Sequence, residues 1–172
     1  MANPSVTPKV GRDGTVLFYD NAGVGGANTF TAQFVRGDVS VNAGAKAEMI
    51  HSFVRGVHKF TRKGNDPIYE GSFSLPLVQF TNGTNEVLID VLDNTGAING
   101  VWAAESTNIE HWNVGIRLTI EGTDHGDAAD HYIDFQGCVC TWEIAESPNG
   151  ETSINVSFTS PRFTEYTKGG PS

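Results

Sequence analysis

The sequence is short of cysteine, of cations and of long apolar runs, and each shortage removes a class of protein. Cys138 and Cys140 are the only cysteines in 172 residues. One residue separates them, so on a strand both side chains leave the same face about 7 Å apart, which does not suit a bond between them. A chain of this length can bury a proper core without disulfide or metal staples, and one domain spanning 1–172 is expected. Lys and Arg number 11 against 20 Asp and Glu, a formal charge of −9. Such a chain repels phosphate backbones and anionic lipid unless its cations segregate onto one patch. The cations form no cluster in the sequence, and the acidity reads first as solubility. No apolar run is long enough to cross a bilayer, and Met1 to Lys9 lacks the charged start and apolar stretch of a secretory signal. Synthesis and folding in cytoplasm are expected.

Alternation is what the sequence has in quantity. In Asn113 to Glu121, Val114, Ile116, Leu118 and Ile120 alternate with Gly115, Arg117 and Thr119, the pattern of a strand with one wet face. Ser153 to Thr159 repeats it with Ile154, Val156 and Phe158 inward, after a Pro148-Asn149-Gly150 turn signal, and pairs as a hairpin with what precedes it. In that preceding stretch the apolar set runs Ile133, Phe135, then Cys138, Cys140, Trp142 and Ile144. The parity changes across Gly137, which predicts a bulge that re-aims the strand. Thr15 to Tyr19 and Thr29 to Val35 form a second hairpin around the glycine-rich Asp20 to Asn28. A further strand is expected at Ile68 to Leu75, with Tyr69, Phe73 and Leu75 on one face.

One segment reads as helix, Asn85 to Asn94, with Thr84 as N-cap, Glu86 in the first turn and Gly96 closing the C-terminus. Val87, Leu88, Val91 and Leu92 form its apolar stripe, which must pack on a sheet because so short a helix is marginal alone. The expected architecture is mainly β, a β-sandwich or barrel-like domain with one short flanking helix. Val41 to Asp66 fits neither period. It mixes Met49, Ile50, Phe53, Val54, Val57 and Phe60 with His51, Arg55, His58, Lys59, Arg62 and Lys63. It is either two more strands or an extended arm that finds its partner on another molecule. The tails, 1–8 and 168–172, read as loose.

No set of residues specifies catalysis. No nucleophile elbow is present, and Gly115 to Glu121 lacks a serine altogether. Asp124, His125, Asp127, Asp130 and His131 match no established metal spacing and read as a solvated hairpin loop. Cys138 and Cys140 with His131 form at most a weak soft-metal pattern. Gly23-Val24-Gly25-Gly26 joins two strands instead of opening a helix, so it is no phosphate loop. Arg36-Gly37-Asp38 reads as a bulge or turn following a strand. Trp102, Trp112 and Trp142 leave open a lectin-like carbohydrate-binding module if their rings are exposed and stacked. No metal or cofactor is expected.

The order of parts is itself informative. Lys9-Val10-Gly11-Arg12-Asp13-Gly14-Thr15 leads into a short strand, then comes a Thr29 to Ser40 strand ending Arg36-Gly37-Asp38-Val39-Ser40. After the charged excursion, Gly71-Ser72-Phe73-Ser74-Leu75 precedes the lone helix, and a three-strand finish ends in Ser157-Phe158-Thr159-Ser160-Pro161. Over roughly Lys9 to Pro161 this series resembles the major tail tube proteins of long-tailed, siphovirus-type bacteriophages. The resemblance implies hexameric rings of a β-sandwich that stack into a hollow tube for the genome and the tape measure, with no reaction catalysed. It implies a virion location in the tail, with synthesis in the host cytoplasm. Its implied partners are further copies of the chain, the tape measure and tail-completion proteins. DNA would pass through the lumen without specific binding, and acidic walls would keep that polyanion mobile. Val41 to Asp66 would bridge subunits and rings through Met49, Ile50, Phe53, Val54, Val57 and Phe60. Arg117, Glu121, Asp134 and Gln136 are the lumen-facing candidates, and the tails would gain order on stacking. The tube of a contractile secretion machine shares the same principle.

Overall fold

The structure is a computed structural model that describes residues 14–33, 39–77, 80, 82–120, 130–146 and 152–168. The strands are β1 (Gly14–Tyr19), β2 (Thr29–Gln33), β3 (Val39–Val41), β4 (Met49–Val54), β5 (Val57–Lys63), β6 (Tyr69–Pro76), β7 (Val114–Ile120), β8 (His131–Glu146), β9 (Thr152–Ser160) and β10 (Arg162–Lys168). Pairing is antiparallel along the path β2-β1-β7-β8-β9-β6-β3, with β10 also on β8, while among the described residues β4 and β5 pair only with each other. The expected β-sandwich-like, mainly β architecture with one short helix is what forms.

The path folds into two layers at one corner. β8 pairs β10 up to Gln136 and β7 up to Cys138, and from Val139 onward it pairs β9. Beside this changeover the β7 register slips by one, with Val114 opposite Cys138 but Ile116 opposite Phe135. Gln136 and Gly137 therefore oppose the single residue Gly115, a bulge whose glycine sits in the left-handed region at φ 62. The parity change read from the sequence is this bulge. The opposite arm turns too: Thr159 faces Val139 and Arg162 faces Gln136, which sets Pro161 against Gly137. A residue without an N–H is tolerated where the ladder is interrupted. β10 was not foreseen, because Pro161 reads in sequence as a strand's end and here is a corner within a longer arm.

The core lies between the layers. Val16, Phe18, Ile116, Leu118 and Phe135 come from the first, and Phe73, Leu75, Ile154, Val156 and Phe158 from the second, all buried in one cluster. Phe18 and Phe73 meet across it at 6.0 Å between ring centroids. The expected single strand from Thr29 to Ser40 is corrected. Its ends are β2 and β3, which occupy opposite ends of the path. Five residues, 34–38, connect them, so the two edges lie within about 20 Å of each other. Arg36-Gly37-Asp38 falls in that segment, outside the described residues, as do the Pro148-Asn149-Gly150 turn and tail residues 1–8 and 169–172.

The helix, α1 (Leu88–Asp93), is shorter than its apolar stripe suggests. Its N-cap is Val87, with no side-chain cap bond, and its C-cap is Asn94 in the left-handed region, so neither Thr84 nor Gly96 has the expected role. The Asn82 side chain accepts from the Thr84 and Asn85 N–H groups at 2.9 and 3.1 Å, holding those residues in a turn before the helix. Asp90 is buried and accepts from the Thr95 hydroxyl at 2.8 Å and the Asn82 N–H at 3.0 Å. Gly96, which opens a single 3-10 turn (Gly96–Ile98), lies so close that a Cβ there would fall 2.1 Å from the Asp90 carboxylate. Leu88, Ile89, Val91 and Leu92 are buried against the layers, each contributing about 1.5–3 kcal/mol by burial, which is what sustains so short a helix. No described helix is long and apolar enough to cross a membrane.

Candidate assembly surface

The excursion from Val41 to Asp66 forms the two strands its sequence allowed, and among the described residues they pair only with each other. β4 and β5 are rich in β-branched and aromatic residues, and Arg55 and Gly56 join them at φ 51 and 78. A two-residue loop with both φ values positive matches the right-handed twist of the strands it connects. Register fixes the two faces. Ile50 pairs Arg62, Ser52 pairs Phe60 and Val54 pairs Val57, with a one-residue slip at Lys59 that sets Phe53 opposite His58. Alternation then places Ile50, Ser52, Val54, Val57, Phe60 and Arg62 on one face. The other carries Met49, His51, Phe53, His58, Thr61 and Lys63. On it the Thr61 hydroxyl bridges His51 Nδ1 and His58 Nε2 at 2.8 Å each.

All six contact residues expected from sequence are brought together here and left in water: Met49, Phe53 and Val57 are over 60% exposed, Phe60 and Val54 over half, and Ile50 38%. A lone two-stranded ribbon is marginal in water, and an apolar cluster of this size on a surface marks an interaction site. The ladder continues past the strands at the hairpin's base, where the Glu48 N–H donates to the Asn65 carbonyl at 3.0 Å and the Gly64 N–H to the Glu48 carbonyl at 2.7 Å. A Lys63–Asp66 ion pair sits beside them.

Charge is segregated as well, contrary to the expectation that the cations do not cluster. Residues 49–63 hold Arg55, Lys59, Arg62 and Lys63 and no acid, so a +4 hairpin and a −13 remainder make up the chain's −9. The signal was present as the absence of any Asp or Glu across fifteen residues of an acidic chain.

The lumen candidates fall on the outward side of the first layer, except Glu121, which lies outside the described residues. Arg117 forms a two-pronged ion pair with Asp134, Nε to Oδ1 at 2.9 Å and Nη2 to Oδ2, and its guanidinium lies 4.0 Å from the Tyr132 ring centroid. The bond to Asp134 raises the Arg117 pKa further. The pair is largely buried, and it clasps β7 to β8 with its charge neutralised within the chain. Gln136 is half-buried at the corner, where its carbonyl accepts from the Ser160 hydroxyl at 2.6 Å. Arg117→Met keeps the aliphatic body but strands a buried carboxylate. It is expected to lower unfolding free energy by about 1.5–3 kcal/mol in urea denaturation, and an unchanged midpoint would show that the clasp contributes nothing.

The other sequence candidates are dispersed. Trp102 is buried and Trp112 and Trp142 are partly buried against the core. Their indole N–H groups are committed to Glu86 at 3.0 Å, the Val91 carbonyl at 2.9 Å and Asp93 at 2.9 Å. Cys138 is buried and Cys140 keeps some exposed surface as a residue while its thiol is enclosed. Burial pushes the first thiol well up and the second to about 12. Asp124, His125 and Asp127 lie outside the described residues, among which no group of three metal-ligating side chains occurs.

No protein-family model matches the chain, and no curated protein does. Among solved structures, a chain of the anti-feeding prophage baseplate, determined by cryo-electron microscopy with six-fold symmetrisation, is similar over 97% of this chain and 96% of that one, at 10% identity and a TM-score of 0.48.

Proposed function

We propose that the chain is a self-assembling structural subunit whose β4–β5 hairpin reaches onto neighbouring copies, building hexameric rings that stack into a phage tail tube and catalysing no reaction. The observation that carries this reading is the hairpin itself: six exposed apolar side chains and four cations on a ribbon that pairs with nothing else described, attached to a strongly acidic body. Opposite charge on two parts of one chain favours contact between copies, and steers it. Rings also suit a heterologous contact, in which arm and acceptor are different surfaces of the same subunit. The committed indoles offer no stacked platform for a sugar. The bore of such a tube would be traversed by DNA, and a clasped Arg117 presents no free cation to retain it.

Electron microscopy of purified protein is expected to show rings or tubes about 100 Å across, the size of six such domains around a pore. A monomer at every concentration in microscopy and light scattering would overturn the reading.

A further inference from the structure

We infer that the hairpin lands, on a second copy of the chain, in the apolar cleft between β2 and the start of α1. The inference rests on the self-assembly reading and names its acceptor. The cleft has a volume of about 360 Å³, and its walls include Phe30, Ala32, Pro76, Val87, Leu88 and Ile154. β2 ends the sheet path and pairs only β1 among the described residues, so its outer edge retains backbone groups open to a further strand. One charged side chain, Glu86, lines the cleft, and the Trp102 indole holds its Oε1 at 3.0 Å. The occupant must therefore be apolar, extended and basic. The hairpin face of Ile50, Val54, Val57 and Phe60, with Arg62 at its base, has that composition.

Two further clefts along β6 and β9 share Ser40, Ser72 and Ser157 and each hold one acid, Glu70 or Glu143; their linings are richer in hydroxyl and amide groups and give the hairpin's apolar face less to pack on. The hairpin's own apolar residues are exposed, so it does not fill the cleft of its own chain. A second copy supplies both the missing strand and the missing cation.

The test uses a variant that alters the cleft without weakening the fold. Val87 is the α1 N-cap, in extended backbone at φ −131 and ψ 156 with no side-chain cap bond. Asparagine is a preferred N-cap, so Val87→Asn places an amide in the cleft wall while adding a cap to the helix. Thermal unfolding of the full-length variant is expected at or above the wild-type temperature. Assembly followed by light scattering is expected to need at least about tenfold more protein, a change of ~1.4 kcal/mol. In parallel, copies carrying Ser52→Cys are mixed with copies carrying Thr31→Cys and oxidised. The enclosed native thiols do not compete, and a cross-link between the two kinds of copy is expected. Wild-type assembly by Val87→Asn, or assembled particles without the Ser52–Thr31 cross-link, overturns the cleft and leaves self-assembly standing. Failure of the wild-type chain to assemble at all overturns both.

Discussion

Removing Ala45 to Lys63 is expected to yield a folded protein that no longer associates. Among the described residues, every buried apolar side chain of the two layers and of α1 lies outside this segment, and β4 and β5 pair only with each other. Among the described residues, the bonds it breaks beyond the two strands are those of the hairpin's own base, Glu48 with Asn65 and Gly64 and Lys63 with Asp66. β3 stays anchored on β6, with Val41 opposite Gly71 and the Asn42 N–H on the Glu70 carbonyl at 2.8 Å. Circular dichroism and the unfolding midpoint should therefore match the intact chain. Association should fall by more than about a hundredfold, because anchors such as Phe53 and Phe60 typically account for ~2 kcal/mol or more each when they fill a pocket. Sedimentation velocity at matched concentrations separates the outcomes, and a deletion variant that still builds tubes would refute the role given to the arm.

Phe158→Ala should have the largest effect on the fold itself. The ring is 2% exposed and stands edge-on to Phe135 at 5.0 Å and 6.1 Å from Phe73. It lies over Gly71, where a Cβ would come within 2.5 Å of it. Phe135 precedes the Gly137 corner while Phe158 follows the turn into β9, so this contact joins the two layers beside their common strand. Truncation should cost about 3–5 kcal/mol, a large share of the ~5–15 kcal/mol that holds a domain of this size together. Phe60→Ala makes the same chemical change on a ring that is 56% exposed, and it should leave the monomer's urea midpoint in place. Equal losses in the two variants would mean that the hairpin is packed on the body in solution.

What could be read from sequence followed from where local patterning and tertiary structure agree. Val114 to Ile120 alternates without interruption because β7 is central and buries one face, and the Gly137 parity change was legible because a bulge alters which residues face inward. The helix boundaries were not, since Thr84 resembles a cap but the Asn82 side chain holds it in a preceding turn, and Asp90 is buried among partners that no helical pattern reveals. The division of Thr29 to Ser40 between opposite ends of the sheet path was hidden because both halves have ordinary strand composition. At the candidate site, the six apolar residues stood out by failing both periods, whereas their acceptor was invisible. Phe30, Pro76, Val87 and Ile154 come from β2, β6, the α1 cap and β9, and only the folded chain brings them to one cleft.

The hairpin and the body also differ in how far apart along the chain their partners lie. β4 and β5 meet across a two-residue loop, so their pairing can form and dissolve within microseconds as soon as that stretch exists. β1 must wait for β7, since Gly14 pairs Ile120 about a hundred residues later, and pairings of that span are slow to form. During synthesis the hairpin can therefore form long before the two layers do. On the assembly proposed above, neighbouring nascent chains would present arms with nothing to grip, and polymerisation would start from completed subunits.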